Sequence, residues 1–250
     1  MIILDFFTLN DLITAFFIFI GAVIYSSVGH GGASSYIAIM SFMGTPIQMI
    51  RPIGLSLNII VSSIASYRFL KYRFLNLSVL IPTVIGSIPA AFVGGYIDLP
   101  IHFFRPLLGA VLIVAGLQLI FNFIHQQDNL QKVNFLLAFM FGALIGLISG
   151  LTGTGGGIFL SPLIIFMGWT TIRGASGTAA IFILCNSIAG LAGNYSSLGH
   201  MPPTIILFSF TVLVGVMIGT QLGIKQINPK GLKKILGVVL IIAAMKFILT

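Results

Sequence analysis

The sequence predicts an all-α, polytopic integral membrane protein made of two homologous, inverted repeats. Each repeat carries a glycine-rich helix break plus three further transmembrane helices. Three observations lead there. Of 250 residues, 58% are hydrophobic and only 6% charged, whereas a soluble domain carries about a quarter charged residues. Apolar runs approaching the ~20 residues that cross a bilayer recur along the whole chain. The second half repeats the first. A β-barrel is excluded, because its strands would alternate apolar and polar residues over about ten positions.

In order, the helical runs are 10–28, 33–44, 52–70, 77–97 and 106–124, then 134–149, 156–168, 174–193, 204–224 and 233–249. Polar loops set most of these boundaries: Arg68 to Asn76, Asp98 to Arg105, His125 to Asn134, Asn194 to Pro203, and Lys225 to Lys234. The result is a single transmembrane domain over 1–250 with about 8–10 membrane helices and internal repeats 9–124 and 134–250. Met1-Ile2-Ile3-Leu4-Asp5 lacks a basic n-region, so the first segment is expected to stay and not be cleaved. Twelve Lys and Arg against four acidic residues give +8. Among such apolar runs this reads as the basic skirt of a membrane protein; the bilayer is an expected partner and nucleic acid is not. The lone Cys185 excludes a disulfide framework and a cysteine metal site. Neither a metal nor a cofactor is expected.

The duplication is visible residue by residue. Gly21-Ala22-Val23-Ile24 matches Gly142-Ala143-Leu144-Ile145, and the cluster Gly29-His30-Gly31-Gly32 matches Gly153-Thr154-Gly155-Gly156. Phe42-Met43-Gly44 matches Phe166-Met167-Gly168, with Arg51 or Arg173 opening the next helix. Charge orients the copies. The loop after the third run holds Arg68, Lys71 and Arg73 while its counterpart, Asn194 to Pro203, has none; one loop later the bias swaps to Lys225, Lys230, Lys233 and Lys234. Inversion accounts for the swap and places nine of the twelve basic residues (68, 71, 73, 132, 173, 225, 230, 233 and 234) in the cytoplasm, with Asp5, Asp11, Asp98 and both termini outside. Inversion also needs an odd number of crossings per half, so the first two runs of each repeat must double back at the glycine cluster.

Those clusters are the candidate site. A helix break followed at once by a new helix leaves free N–H groups and a positive dipole end inside the protein, which binds anions without a basic side chain. Gly29, His30, Gly31 and Gly32 in one repeat, and Thr152, Gly153, Thr154, Gly155, Gly156 and Gly157 in the other, would face each other near the midplane. The other reading is packing, which suits the stripes Gly142, Gly146, Gly150 and Gly215, Gly219, Gly223. Span residues able to donate hydrogen bonds include Ser34, Ser35, Ser56, Asn58, Ser62 and Ser63, then Ser176, Thr178, Asn186 and Ser187. Serine and threonine often bond back to their own helix, whereas Asn58 and Asn186 are costlier to bury unpaired. Arg51 and Arg173 either charge an anion pathway or anchor helix ends. No Asp or Glu lies inside any span, and His102, His125 and His200 fall in loops. Carboxylate-coupled transport is therefore not expected, nor is an enzyme, for want of a hydrolytic constellation.

The Gly142-to-Gly157 run, with Met167-Gly168 and the stretch Arg173 to Thr178, resembles the TauE/SafE family of sulfite-exporter-like membrane proteins. Gly21 to Ser56 resembles the same motif more weakly, with Tyr25 standing where the second repeat has Gly146 and with His30 inside the cluster. The resemblance implies export of a small sulfur-containing anion (sulfite, a sulfonate or a related organosulfur compound) across the bacterial inner membrane. It carries the two clusters, Ser56 and Thr178 over as binding positions. The expected function is a secondary carrier working by alternating access, with an anion channel or a non-transporting scaffold subunit as alternatives. A homo-oligomer is left open.

Overall fold

A computed structural model describes residues 7–121, 130–225 and 230–249. Asp5, His125, the middle of the loop between the repeats and the stretch after Lys225 lie outside them. The described residues are mostly helical: α1 Leu9–Ser26, α2 Ala33–Phe42, α3 Ile47–Lys71, α4 Leu77–Tyr96 and α5 Ile101–Phe121, then α6 Phe135–Thr152, α7 Gly157–Phe166, α8 Ile172–Gly193, α9 Thr204–Ile224 and α10 Lys230–Leu249, with a short 3-10 helix over Tyr195–His200 that includes His200, expected in a loop. Among the described residues seven helices (α1, α3, α4, α5, α6, α8 and α9) are long and apolar enough to cross a membrane.

Local chemistry starts several of them. Thr8 and Asp11 form a reciprocal capping box on α1, while Asn76, Asn134 and Thr171 accept N–H bonds at the starts of α4, α6 and α8. Asp11 therefore sits in the first turn of α1 and not outside every span. His102 likewise lies in α5 and not in a loop. Helices α3 and α5 begin about one turn before Pro52 and Pro106, the positions near which the sequence starts them. In α3 that extra turn is held by burial of Ile50 and Arg51.

The glycine stripes do what packing requires. A Cβ on Gly142, Gly146 or Gly150 would strike the backbone of Thr83, Ser87 or Ala91, so α6 lies against α4 with no side chain between them. The registers advance together, and the two helices are parallel. Gly215, Gly219 and Gly223 of α9 meet Ala22, Val23 and Ser27 of α1 in the same way. Leu55 beside Gly190 and Phe74 beside Gly177 make α3 and α8 antiparallel. Gly109 beside Ala244, with Gly116 beside Gly237, does the same for α5 and α10.

These contacts give the bundle two ends. At one stand the starts of α1, α3, α5 and α9 with Arg51 and Asp98. At the other stand Arg68, Lys71, Arg73 and Arg173. Helices α1 and α2 double back to the first end, where Asn10 Nδ2 donates to the Met43 carbonyl and Lys246 Nζ to that of Ser41. Helices α6 and α7 return to the second, where Gln131 N donates to the Gly168 carbonyl. The bends themselves are not at mid-depth. The last turn of α1 reaches Gly223, near the far end of α9, and Gly153 reaches Arg51 at the opposite end. The irregular segments then climb back, so that α2 and α7, ten residues and about 15 Å each, start mid-bundle.

Candidate functional site

The two clusters meet at Asn58. This residue is fully buried halfway along α3, and Gly31 and Gly155 both close on its amide, where a Cβ on either would collide with it. Its Oδ1 accepts from Ala33 N at 3.1 Å, and its Nδ2 donates to the Thr154 carbonyl at 3.2 Å. One side chain thus caps α2 and fastens the second cluster to it. Gly32 and Gly156 are the N-cap residues of α2 and α7, with φ of 97° and 79°. That left-handed region favours glycine, and a glycine brings no capping side chain of its own.

Around the start of α2 the side chains of Ser34, Ser35, Tyr36 and Asn58 are all partnered by protein. Tyr36 Oη donates to the Gly31 carbonyl at 2.9 Å, Ser35 Oγ to that of Gly32 at 2.7 Å, and Ser34 Oγ to Tyr25 Oη at 2.9 Å. Tyr25 and Tyr36 are both fully buried and fill the space.

The start of α7 differs. Ser149 Oγ, Ser187 Oγ and both amide atoms of Asn186 are buried and have no hydrogen-bond partner. Ser187 Oγ stands 3.3 Å from where a Cβ of Gly155 would be, and Ser149 Cβ 3.4 Å from that of Gly156. Asn186 lies one turn from Phe182 and Ile183, which touch Gly155, Gly156 and Gly157, and one turn from Gly190, which faces Gly150. Helix geometry leaves the first N–H groups of α7 pointing the same way. Leaving a buried polar group unpaired costs about 1–3 kcal/mol; Arg51 Nε, Ser66 Oγ and Gln118 Oε1 are unpartnered elsewhere, while these four atoms make the start of α7 the candidate site. His30 lies beside it, its Cδ2 3.3 Å from a Cβ position on Gly157 and its Nε2 3.0 Å from Ser161 Oγ.

The predicted binding residues therefore separate. Gly155, Gly156, Gly157, Asn186, Thr154 and His30 gather at this point, with Gly31, Gly32 and Asn58 closing it from the first half of the chain. Ser34 is tied to Tyr25. Gly29 packs on the Ser176 backbone and Gly153 on Arg51, toward opposite ends. Thr152 bonds to the Ile148 carbonyl and to Thr154. The structure brings neither Ser56 nor Thr178 here: Ser56 Oγ is 3.9 Å from Met201 Sδ, and Thr178 Oγ1 accepts from Asn76 N at 3.2 Å. Ser149 was missed by the sequence reading: it lies in the last turn of α6, and only the fold of the break at Gly153–Gly156 brings it against Gly156.

A cavity lies at either end of the bundle. One, about 380 Å³, is lined by Gln48, Arg51, Asp98, Asn194 and Ser197. Its arginine is partly engaged: Nη1 donates to the Ile97 carbonyl at 3.1 Å, and Nη2 to those of Gly94, at 3.0 Å, and Gly95, while Nε is buried without a partner. Arg51 thus clamps the end of α4. The other, about 420 Å³, is lined by Arg73, Asn76, Thr170, Thr171 and Arg173 and by no acidic residue. Arg173 lies over the Phe74 ring, 5.5 Å from its centroid.

The family model described as sulfite exporter TauE/SafE matches residues 13–247. The chain is also 34% identical, over 241 residues, to the probable membrane transporter protein y4hK of Sinorhizobium fredii, covering 95% of this chain and 97% of that one. No solved structure matches. A match of this extent, on a bundle of membrane-length helices, makes the chain a member of the sulfite exporter TauE/SafE family of membrane transporters.

Proposed function

We propose that the chain is a secondary carrier that exports a small sulfur-containing oxyanion across the bacterial inner membrane by alternating access. The observation that carries this reading is the set of unpartnered donors at the start of α7, Ser149, Asn186 and Ser187. Hydroxyls, an amide and helix N–H groups suit the oxygen atoms of a sulfite or sulfonate head. These donor atoms are buried from both cavities, which favours a carrier over an open pore.

The inverted arrangement of the halves is part of the proposal. It is supported by the matching pairs α1 with α9 and α6 with α4, and by the self-pairing of α3 with α8 and α5 with α10. The basic end then faces the cytoplasm and both termini face outside. A cytoplasmic cavity with Arg73 and Arg173, and an outer one where Asp98 accompanies Arg51, draw anions in from the cell side. The potential does the rest: about 2.3 kcal/mol per charge at 100 mV supports roughly a 50-fold outward gradient of a monoanion.

The test is uptake of methanesulfonate, whose charge is fixed, into proteoliposomes under a potassium-diffusion potential, positive on the accumulating side. Uptake should saturate, follow the potential and ignore sodium and pH gradients. Accumulation driven by a pH gradient alone, and lost in His30→Gln, would replace this reading with proton coupling. Impermeant thiol reagents added outside should label a cysteine placed at Ser197 and spare one placed at Lys71; equal labelling would remove the inversion.

A further inference from the structure

We infer that the α7 site selects by charge, taking a monovalent oxyanion head and rejecting the dianion of the same shape. The inference rests on reading this site as the transport site, and it follows from what surrounds the unpartnered atoms. The lining is neutral: Ser149, Ser187, Asn186, the Asn58 amide and the glycine backbone. Arg51 is seven residues along α3 from Asn58, about 10 Å of helix, with its charged guanidinium held by Nη1 and Nη2 on the carbonyls of α4. Arg173 is ten residues along α8 from Ile183, about 15 Å away, and lies over Phe74 at the mouth of its cavity. His30 is engaged with Ser161.

The groups that line the site are therefore dipoles, with the charge of Arg51 about 10 Å away. A helix N-terminus acts as roughly half an elementary charge, and neutral donors add their own dipoles. Their attraction for an anion grows in proportion to its charge, doubling from a monoanion to a dianion. The cost of removing that anion from water grows as the square of the charge, so it rises about fourfold. A site with a lysine or arginine could make up the difference, and this one has none among the described residues. Hydrogen sulfite or a sulfonate meets the condition; sulfite dianion and sulfate do not.

The experiment compares methanesulfonate and methyl sulfate, each of charge −1, with sulfate, at one pH. Binding is read by thermal shift of the full-length protein in detergent, and transport by competition in proteoliposomes. Both monoanions should bind, and sulfate should be weaker by at least about 100-fold. Asn186→Leu should remove the methanesulfonate response, and Ser149→Ala should weaken it while the protein keeps its melting profile. Sulfate binding within about tenfold of methanesulfonate would overturn the charge selection and leave the carrier standing. Loss of all three anions would overturn the transport-site reading and this inference together. Methanesulfonate binding that survived both substitutions would put the ligand elsewhere and overturn the transport-site reading together with this inference.

Discussion

The starts of α2 and α7 are the same device in two states. Both follow a glycine N-cap in the left-handed region, both head ten-residue helices, and both begin at mid-bundle. At α2 the protein answers its own polar groups, with Asn58 on the first N–H, Tyr36 on the Gly31 carbonyl and Tyr25 filling the gap. Seven residues before the N-cap stand Tyr25 in one half and Ser149 in the other, although the sequence match sets Tyr25 against Gly146 because the second half has three more residues before its cluster. Four residues forward gives Tyr36 and Leu160. Two aromatic hydroxyls close one copy; a serine and a leucine leave the other with polar atoms to spare. The comparison sets a structural joint beside a candidate site at two similar helix starts, reached by different paths: α1 ends six residues before its N-cap and α6 four before its own.

The largest effect should come from exchanging the two asparagines for a residue of similar size. Asn186→Leu should cut transport by about 100-fold or more yet raise stability by about 1–3 kcal/mol, because it removes unpaired buried groups. Asn58→Leu should lower stability by about 2–4 kcal/mol, since it strands the Ala33 N–H and the Thr154 carbonyl. Denaturation in detergent, read beside flux, separates the two. Equal destabilisation by both would erase the distinction between joint and site.

The halves should behave alike where they only pack. Gly146→Val and Gly219→Val each push a side chain into the backbone of a parallel neighbour, and each should cost about 1–3 kcal/mol or prevent accumulation of folded protein. A large difference between them would mean that the two stripes are not equivalent.

Smaller effects sharpen the contrast in hydroxyls. Tyr36→Phe strands the Gly31 carbonyl and should cost about 1–2 kcal/mol. Ser149→Ala, which strands nothing, should leave stability unchanged or slightly higher while weakening ligand-induced stabilisation. At a ligand concentration 100 times Kd, that stabilisation is about 2.7 kcal/mol in the unaltered protein.

Smallest of all is Arg173→Gln. Arg173 is exposed at its cavity and far from the α7 donors, so the loss should be under about 1 kcal/mol in apparent affinity. It should fade as salt rises. A salt-independent loss as large as that of Asn186→Leu would move the site to the cavity mouth.

Much of this was legible in the chain. Hydropathy runs predict the helices to within a few residues, and the glycine stripes predict which helices can approach without side chains between them. Both are properties of neighbours in sequence, set by the helical repeat. The doubling-back at the glycine clusters was also foreseen, though not its depth: the bends reach opposite ends, and only the returning segments meet in the middle. That depth depends on how far α1 and α6 run alongside α9 and α4.

What the tertiary structure alone decided is which polar groups are answered. Asn58 and Asn186 look alike in sequence, each an amide in an apolar helix. Asn58 is satisfied by Ala33 and by Thr154, 96 residues away, and His30 meets Ser161 across 131 residues. A buried hydrogen bond gains or loses its free energy at about 3 Å, a distance that sequence spacing cannot encode once the partners sit in different repeats. Hydrophobic burial adds up along the chain and can be read there. The pairing of a buried donor exists only when the chain has folded.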